Sequence, residues 1–317
     1  MVATKSAEKK PAKESFFQKK WKAIMREKWL YILLIPGIIY FIIFKYVPMS
    51  GVLYAFQDYM PASGLFGSPW VGLKHFQRFF ASPQFGQLFV NTLVFAVLNL
   101  IFYFPYPILL ALLLNEVRIN WYKRTVQSLV YLPHFLSWVV IASITQQLLT
   151  TENGAVNGLL GLLGIEPIPF MLSENWLRPL ILIQTMWKEG GWGTIIFLAA
   201  LAGVDVSLYE AAIVDGAGHW KRLWNITIPA IKPTIVTLLI LRMGSFMNTG
   251  FEQLFLMTNS MNRSVGDVFD TYVYRMGITG GQFSYSTAVG LFKSIISLIL
   301  VYTANKLAER AGEEGIF

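Results

Sequence analysis

The chain has 317 residues, of which 55% are hydrophobic and 14% charged, with a formal net charge of +8 and no cysteine. A soluble domain of this length carries roughly a quarter charged residues, so the composition excludes an ordinary soluble globular protein and points to a polytopic membrane protein. The missing cysteines exclude disulfides and thiolate metal sites, and His75, His134 and His219 are too far apart in sequence to suggest a metal centre.

Nine of the Lys and Arg residues fall in residues 1–28, ahead of the first apolar run. They alternate with acidic and apolar residues, which suits a tail beside anionic lipid and argues against a nucleic-acid surface. Phe16, Phe17, Trp21, Ile24, Met25 and Trp29 recur at helical spacing, predicting an amphipathic interfacial helix over 16–29. No small-residue cleavage site follows Tyr31–Phe44, so a secretory signal is not expected.

Six apolar stretches are long enough to cross a bilayer: 30–50, 88–114, 127–149, 178–202, 232–257 and 286–307. The predicted fold is therefore an all-α membrane protein with six transmembrane helices. Taken as domains, 1–29 is a basic cytoplasmic tail, 30–310 the transmembrane domain and 311–317 a C-terminal tail. Lys and Arg in the two tails and in the 115–126 and 203–233 loops number 17, against 4 in the alternate loops. That asymmetry places both termini in the cytoplasm. Segment 69–80, PWVGLKHFQRFF, reads as a short surface helix with an aromatic belt.

The loop over 205–229 contains Glu210 to Pro229, EAAIVDGAGHWKRLWNITIP. Glu210 to Val214 predicts a short Ala-rich helix with little bulk. Asp215 suits its stop, and Gly216 and Gly218 supply turn freedom. A second helix then carries Trp220, Leu223, Trp224, Ile226 and Ile228, and Pro229 and Pro233 are expected to limit it and begin the next span. This pattern resembles the "EAA" loop of permease subunits of binding-protein-dependent type I ABC importers, with Glu210, Ala211, Ala212, Asp215, Gly216, Ala217 and Gly218 at the ATPase-coupling positions. Gly191-Trp192-Gly193-Thr194 and Leu198–Val204 extend the likeness upstream, and the VGLKHF stretch resembles sugar-importer permeases, so the match covers 30–310.

The resemblance implies a type I importer permease fold in a bacterial inner membrane. It implies a second permease subunit, giving a heterodimer, two ATPase subunits that hold the ATP and Mg, and an extracytoplasmic solute-binding protein. The whole-chain pattern is similar to the oligosaccharide branch, near maltose-importer permeases and those for complex polysaccharides such as alginate. No nucleotide loop of the form GxxxxGK[ST] occurs, so ATP hydrolysis is expected on the partners. Alternatives of other kinds are a permease of this architecture for amino acids, polyamines or phosphate, a membrane-embedded transferase, and a channel or secondary carrier. The acids outside the loop are scattered, and no inverted repeat is evident.

Ionisable residues at membrane depth are costly and usually functional. Gln184, Lys188 and Trp192 repeat every four residues. Arg242, Ser245, Thr249 and Glu252 follow i, i+3, i+7 and i+10, which predicts one helix face. With Trp187 and Lys293, the residues Gln184, Lys188, Trp192, Arg242, Thr249 and Glu252 are the candidate lining of a sugar path. Gly190, Gly191 and Gly193 predict a break or cavity in the fourth span. The competing reading is an ion-pair network that only joins helices, such as Arg242 with Glu189 or Glu252. Three cations against Glu189 and Glu252 favour an acidic oligosaccharide, such as an alginate or pectin fragment.

Overall fold

The computed structural model describes residue 20, residues 25–312 and residue 315. Most of the predicted interfacial helix over 16–29 lies outside them. The described residues fall into two compact units, divided between Leu53 and Tyr54.

In the first unit, α1 (Lys28–Phe41) continues through a π-helical turn, Ile42–Tyr46, into Val47–Met49. The π turn has a local cause. Pro48 lacks an N–H and its ring would press on the carbonyl four residues back. Widening the turn ahead of it, so that Val47 N–H reaches Ile42 O, lets the helix pass the proline without breaking.

The second unit is all-helical among the described residues, apart from an isolated bridge between Gln57 and Trp70. That bridge leads into α2 (Lys74–Phe80). The third helix, α3 (Gln84–Leu98), and α4 (Pro105–Glu116) form one 33-residue helix, joined by a second π turn at Asn99–Tyr103, two residues before Pro105. Then come α5 (Asn120–Tyr131), α6 (Trp138–Leu149) and the 29-residue α7 (Glu174–Ala202). After α8 (Val206–Val214), α9 (His219–Arg222) runs through a third π turn, Leu223–Thr227, into α10 (Ile228–Gly244). Two short helices, α11 (Phe251–Met257) and α12 (Phe269–Tyr274), precede α13 (Phe283–Arg310).

Among the described residues, four helices are long and apolar enough to span a bilayer: Lys28–Phe56, Gln84–Glu116, His219–Gly244 and Phe283–Arg310. Two bent pairs bring the number to six, Asn120–Phe135 with Trp138–Leu149 (99°) and Glu174–Ala202 with Val206–Val214 (67°).

Three expectations need correction. The predicted span 127–149 is two helices, broken at Leu136 and Ser137. Pro133 starts a 3₁₀ turn there, and the Ser137 hydroxyl accepts from Val140 N–H to begin α6 afresh. The predicted span 232–257 ends at Gly244, because residues 245–250 leave helical geometry and Gly250 takes φ +86°. Pro229 and Pro233 do not start a new helix. The π turn at Leu223–Thr227 carries the chain past Pro229, so His219–Gly244 is continuous over 26 residues.

Three buried clusters hold the second unit together. Ala111, Phe197, Leu201 and Ile231 join α4, α7 and α10. Phe95, Ala142, Leu177, Ile181, Leu254, Met257 and Val268 join α3, α6, α7 and α11. Phe79, Leu88, Met247, Phe269, Tyr272, Tyr285 and Val289 join α2, α3, α12 and α13. The segment 69–80 is therefore more than a surface helix: Phe79 is fully buried, edge-on to Phe269 and Phe292. Its neighbours Lys74 and His75 hold Asp58 at 2.6 and 3.0 Å. The Lys74 ammonium, bonded to Asp58, keeps that carboxyl below its usual value.

Candidate functional site

The loop over 205–229 is built largely from local bonds. Its helix starts at Val206, earlier than Glu210, because Asp205 Oδ1 accepts from Ser207 N–H at 2.9 Å and caps the N-terminus. Those bonds from Ser207 hold the Asp205 carboxyl below its ordinary value. At the other end Asp215 is the C-cap and Gly216 takes φ +71°. Gly216 N–H donates to Ile213 O at 3.0 Å and Ala217 N–H to Ala212 O at 2.8 Å. This is a Schellman closure, which satisfies the last carbonyls and needs the left-handed residue that glycine supplies. Gly218 needs no such freedom: it has φ −66° and simply precedes α9.

No residue of α8 is buried. Val206, Leu208, Ile213 and Val214 are all exposed, Val214 at 87%. Glu210, Ala211, Asp215, Gly216 and Gly218 are exposed beside them, Ala212 and Ala217 partly so. Tyr209 Oη and Thr227 Oγ1, which lie 2.9 Å apart, tie the loop back, with Thr227 buried. Trp220 and Trp224 are exposed on the continuous helix that follows. His219 Nδ1 lies 3.7 Å from Glu116 at the end of α4.

At the middle of α7 the glycine-rich stretch does not break the helix, contrary to expectation. It makes room. A methyl group on Gly190 would overlap the Tyr106 ring, and one on Gly191 would overlap the Val130 carbonyl. On Gly193 it would meet Pro107 at 3.0 Å. Close approach of α4 and α5 to α7 is what these residues permit.

The candidate lining residues divide sharply. Gln184 is buried, its amide donating to Thr145 Oγ1 at 2.7 Å and accepting from Gln253 Nε2 at 2.9 Å. Lys188 is 6% exposed. Its ammonium donates to His134 O at 2.6 Å, lies 3.3 Å from Glu189 and sits over the Trp138 ring at 5.5 Å. Glu189 in turn meets His134 Nδ1 at 2.8 Å. Trp192 stacks flat on the His134 ring at 4.5 Å, and Trp187 is half exposed. These contacts clamp the Leu132–Phe135 turn of the broken span onto α7. Lys293 pairs with Asp270 on α12. Arg242 and Glu252 do not share a helix face, since the break at 245–250 separates them. Arg242 stands over the Tyr103 ring at 5.3 Å, Glu252 is exposed, and Thr249 is buried with its hydroxyl unpartnered.

His134, Tyr103, Thr145, Asp270 and Gln253 were absent from the predicted set. Each joins it through a contact distant in sequence, and only Pro133 gave a local hint that the chain turns near His134.

Elsewhere in the second unit, Asn91 fastens the segment around Ser264 and Asp267. Its amide donates to Ser264 O and Asp267 O and accepts from Arg178. Asp267 also pairs with Arg275 at 2.5 Å.

Comparison with known proteins bears on this geometry. The chain is 58% identical over 295 residues to protein LplB of Bacillus subtilis (strain 168), covering 93% of each chain. It is 55% identical to the polygalacturonan/rhamnogalacturonan transport system permease protein YteP of the same organism, covering 93% of this chain and 92% of that one. Its structure matches a chain of the bacterial alginate ABC transporter in complex with alginate pentasaccharide-bound periplasmic protein, with a TM-score of 0.86 and 39% identity over 93% of this chain and 99% of that one. Residues 89–311 match the family described as binding-protein-dependent transport system inner membrane component. The chain belongs to that family of ABC importer permeases.

Proposed function

We propose that this chain is a transmembrane permease subunit that imports an acidic oligosaccharide by alternating access, driven by ATP hydrolysis on partner subunits. The observation that carries the reading is the exposed, rigidly capped helix Val206–Val214, a docking surface closed at both ends by its own bonds. Its apolar residues need a groove on another protein, which suits an ATPase subunit whose closure would push the loop. The likeness to a polygalacturonan/rhamnogalacturonan permease and to an alginate transporter chain supports a sugar substrate carrying carboxylates.

In this reading the protein sits in a bacterial cytoplasmic membrane as a multi-pass chain, and the excess of Lys and Arg puts both termini and the coupling loop in the cytoplasm. Residues 30–310 form the transmembrane domain between two cytoplasmic tails. The working complex is a heterodimer with a second permease, two ATPase subunits that bind ATP and Mg, and an extracytoplasmic solute-binding protein. This chain contributes no ATP site. Glu210, Ala211, Ala212, Asp215, Gly216, Ala217 and Gly218 carry the coupling. Trp187, Trp192, Arg242 and Glu252 line the path for sugar, while the buried Gln184, Lys188 and Thr249, with the paired Lys293, shape it from behind.

The test is ATPase stimulation. The chain is reconstituted with its co-encoded permease, ATPase and binding protein, and a panel of neutral and acidic oligosaccharides is added. Stimulation by an acidic class is expected. Failure to copurify with any ATPase overturns the coupling reading, and stimulation by neutral sugars alone overturns the acidic one.

A further inference from the structure

Of the cations on the apolar helices, three belong to the candidate lining, and the structure separates them by what they already touch. Lys188 is buried against a carbonyl, a carboxylate and an indole ring. Lys293 is paired with Asp270. Arg242 is half-buried, and among the described residues no carboxylate lies within ion-pair distance of it. Its contact is the face of Tyr103, with the guanidinium carbon 5.3 Å from the ring centroid.

That position lies well inside the bilayer by chain length. Tyr103 sits within the 33-residue helix Gln84–Glu116, about 19 residues (~28 Å) from one end and 13 (~20 Å) from the other. Both of Glu189's oxygens are engaged, one by His134 and one by Lys188. A charge at such depth is expensive unless something compensates it. The ring beneath contributes a cation–π attraction and leaves the in-plane N–H groups of the guanidinium free. Those N–H groups form the planar fork that fits a carboxylate through two parallel hydrogen bonds. Arg242 is also in the last turn before the helix break, and the same break holds the buried, unpartnered hydroxyl of Thr249.

We propose that Arg242 is the charge-selecting residue of the permease, pairing with a carboxylate of the sugar in transit, and that Lys188 and Lys293 are positioning residues without that role. The proposal rests on the acidic-oligosaccharide reading above.

The experiment measures uptake into proteoliposomes containing the whole complex, using tetragalacturonate and its uncharged methyl ester as probes. The quantity read is the ratio of acid to ester uptake, which does not depend on how much complex assembles. Wild type is expected to favour the acid. In Arg242→Gln the ratio falls about tenfold or more, the scale of one lost charge-assisted hydrogen bond. Arg242→Lys retains part of the preference, and Lys188→Met lowers both uptakes with the ratio kept. An unchanged ratio in Arg242→Gln overturns the proposal. That is the result expected if a carboxylate of the sister permease neutralises Arg242, or if Arg242 only steadies the end of α10. Equal lowering of both probes overturns it in the same way. Wild-type uptake of neither probe defeats the substrate reading itself, a failure visible before any variant is made.

Discussion

The exposed helix α8, Val206–Val214, and the middle of α7 are built on opposite principles. The first is held mostly by bonds between near neighbours, from the Asp205 cap to the Ala217 N–H, with a longer tie from Tyr209 to Thr227, and none of its residues is buried. The second holds its neighbours through contacts 39 to 87 positions away in sequence, such as Gln184 to Thr145 Oγ1, Lys188 to His134 O and Thr194 to Pro107 O. One region is an exposed part closed by its own local bonds, and the other is a joint between distant segments. Glycine serves both, by conformation at Gly216 and by absence of bulk at Gly191.

Substitutions that remove one use of glycine without the other sharpen this contrast. The largest effect is expected from Gly191→Val. Its side chain must displace the Val130 backbone, and overpacking of this kind costs about 1–3 kcal/mol or more. Loss of assembled complex on size-exclusion chromatography checks it, and a normal yield would mean α5 can move away freely. Next is Gly216→Pro, whose φ near −65° is incompatible with +71°. It should leave the protein inserted and folded, since nothing packs on Gly216, while ATP hydrolysis loses its link to uptake. Normal uptake in that variant would end the view of the loop as a rigid lever.

A smaller effect is expected from Tyr209→Phe. It deletes the tie to Thr227, worth about 0.5–1.5 kcal/mol, and should speed amide exchange in α8 without changing the yield. The smallest is a pH effect. The carboxyl of Asp205 is held below its ordinary value of 3.8, so its cap is fully present above that pH and is lost as pH falls through the lower folded value. Protection of the Ser207 amide, relative to its intrinsic exchange rate, should therefore fall once pH drops below 3.8 in the wild type, and Asp205→Ala should show the low protection at neutral pH.

The same division decides what could be read from the sequence. The helix Val206–Val214 and its stop at Gly216 were legible because their chemistry is consecutive: Glu-Ala-Ala, then Asp-Gly-Ala, in an order that specifies a helix and its stop. Four of the six spans were legible because hydropathy is additive along a window. The breaks at Leu136 and after Gly244 were not, since an apolar window stays apolar when the backbone turns inside it. The face linking Arg242 to Glu252 failed for that reason, as periodicity counts residues through a break it does not register. The glycines of α7 signalled a special backbone, but whether they open a helix or admit a neighbour depends on Tyr106 and Val130, which lie far away in the chain. The partners of Lys188, Glu189 and Lys293 were hidden likewise.

The three π turns ahead of Pro48, Pro105 and Pro229 have a consequence for how these helices tolerate change. A turn closed over five residues in place of four carries one surplus residue, so everything beyond it is phased by about 100° relative to a straight helix. Loss of the proline alone leaves that surplus in place. Loss of a residue alone spins the rest of the span, carrying Tyr103 or Thr227 to another side. The proline and its extra residue thus form a unit of inheritance, and relatives without the proline are expected to be one residue shorter at the same place.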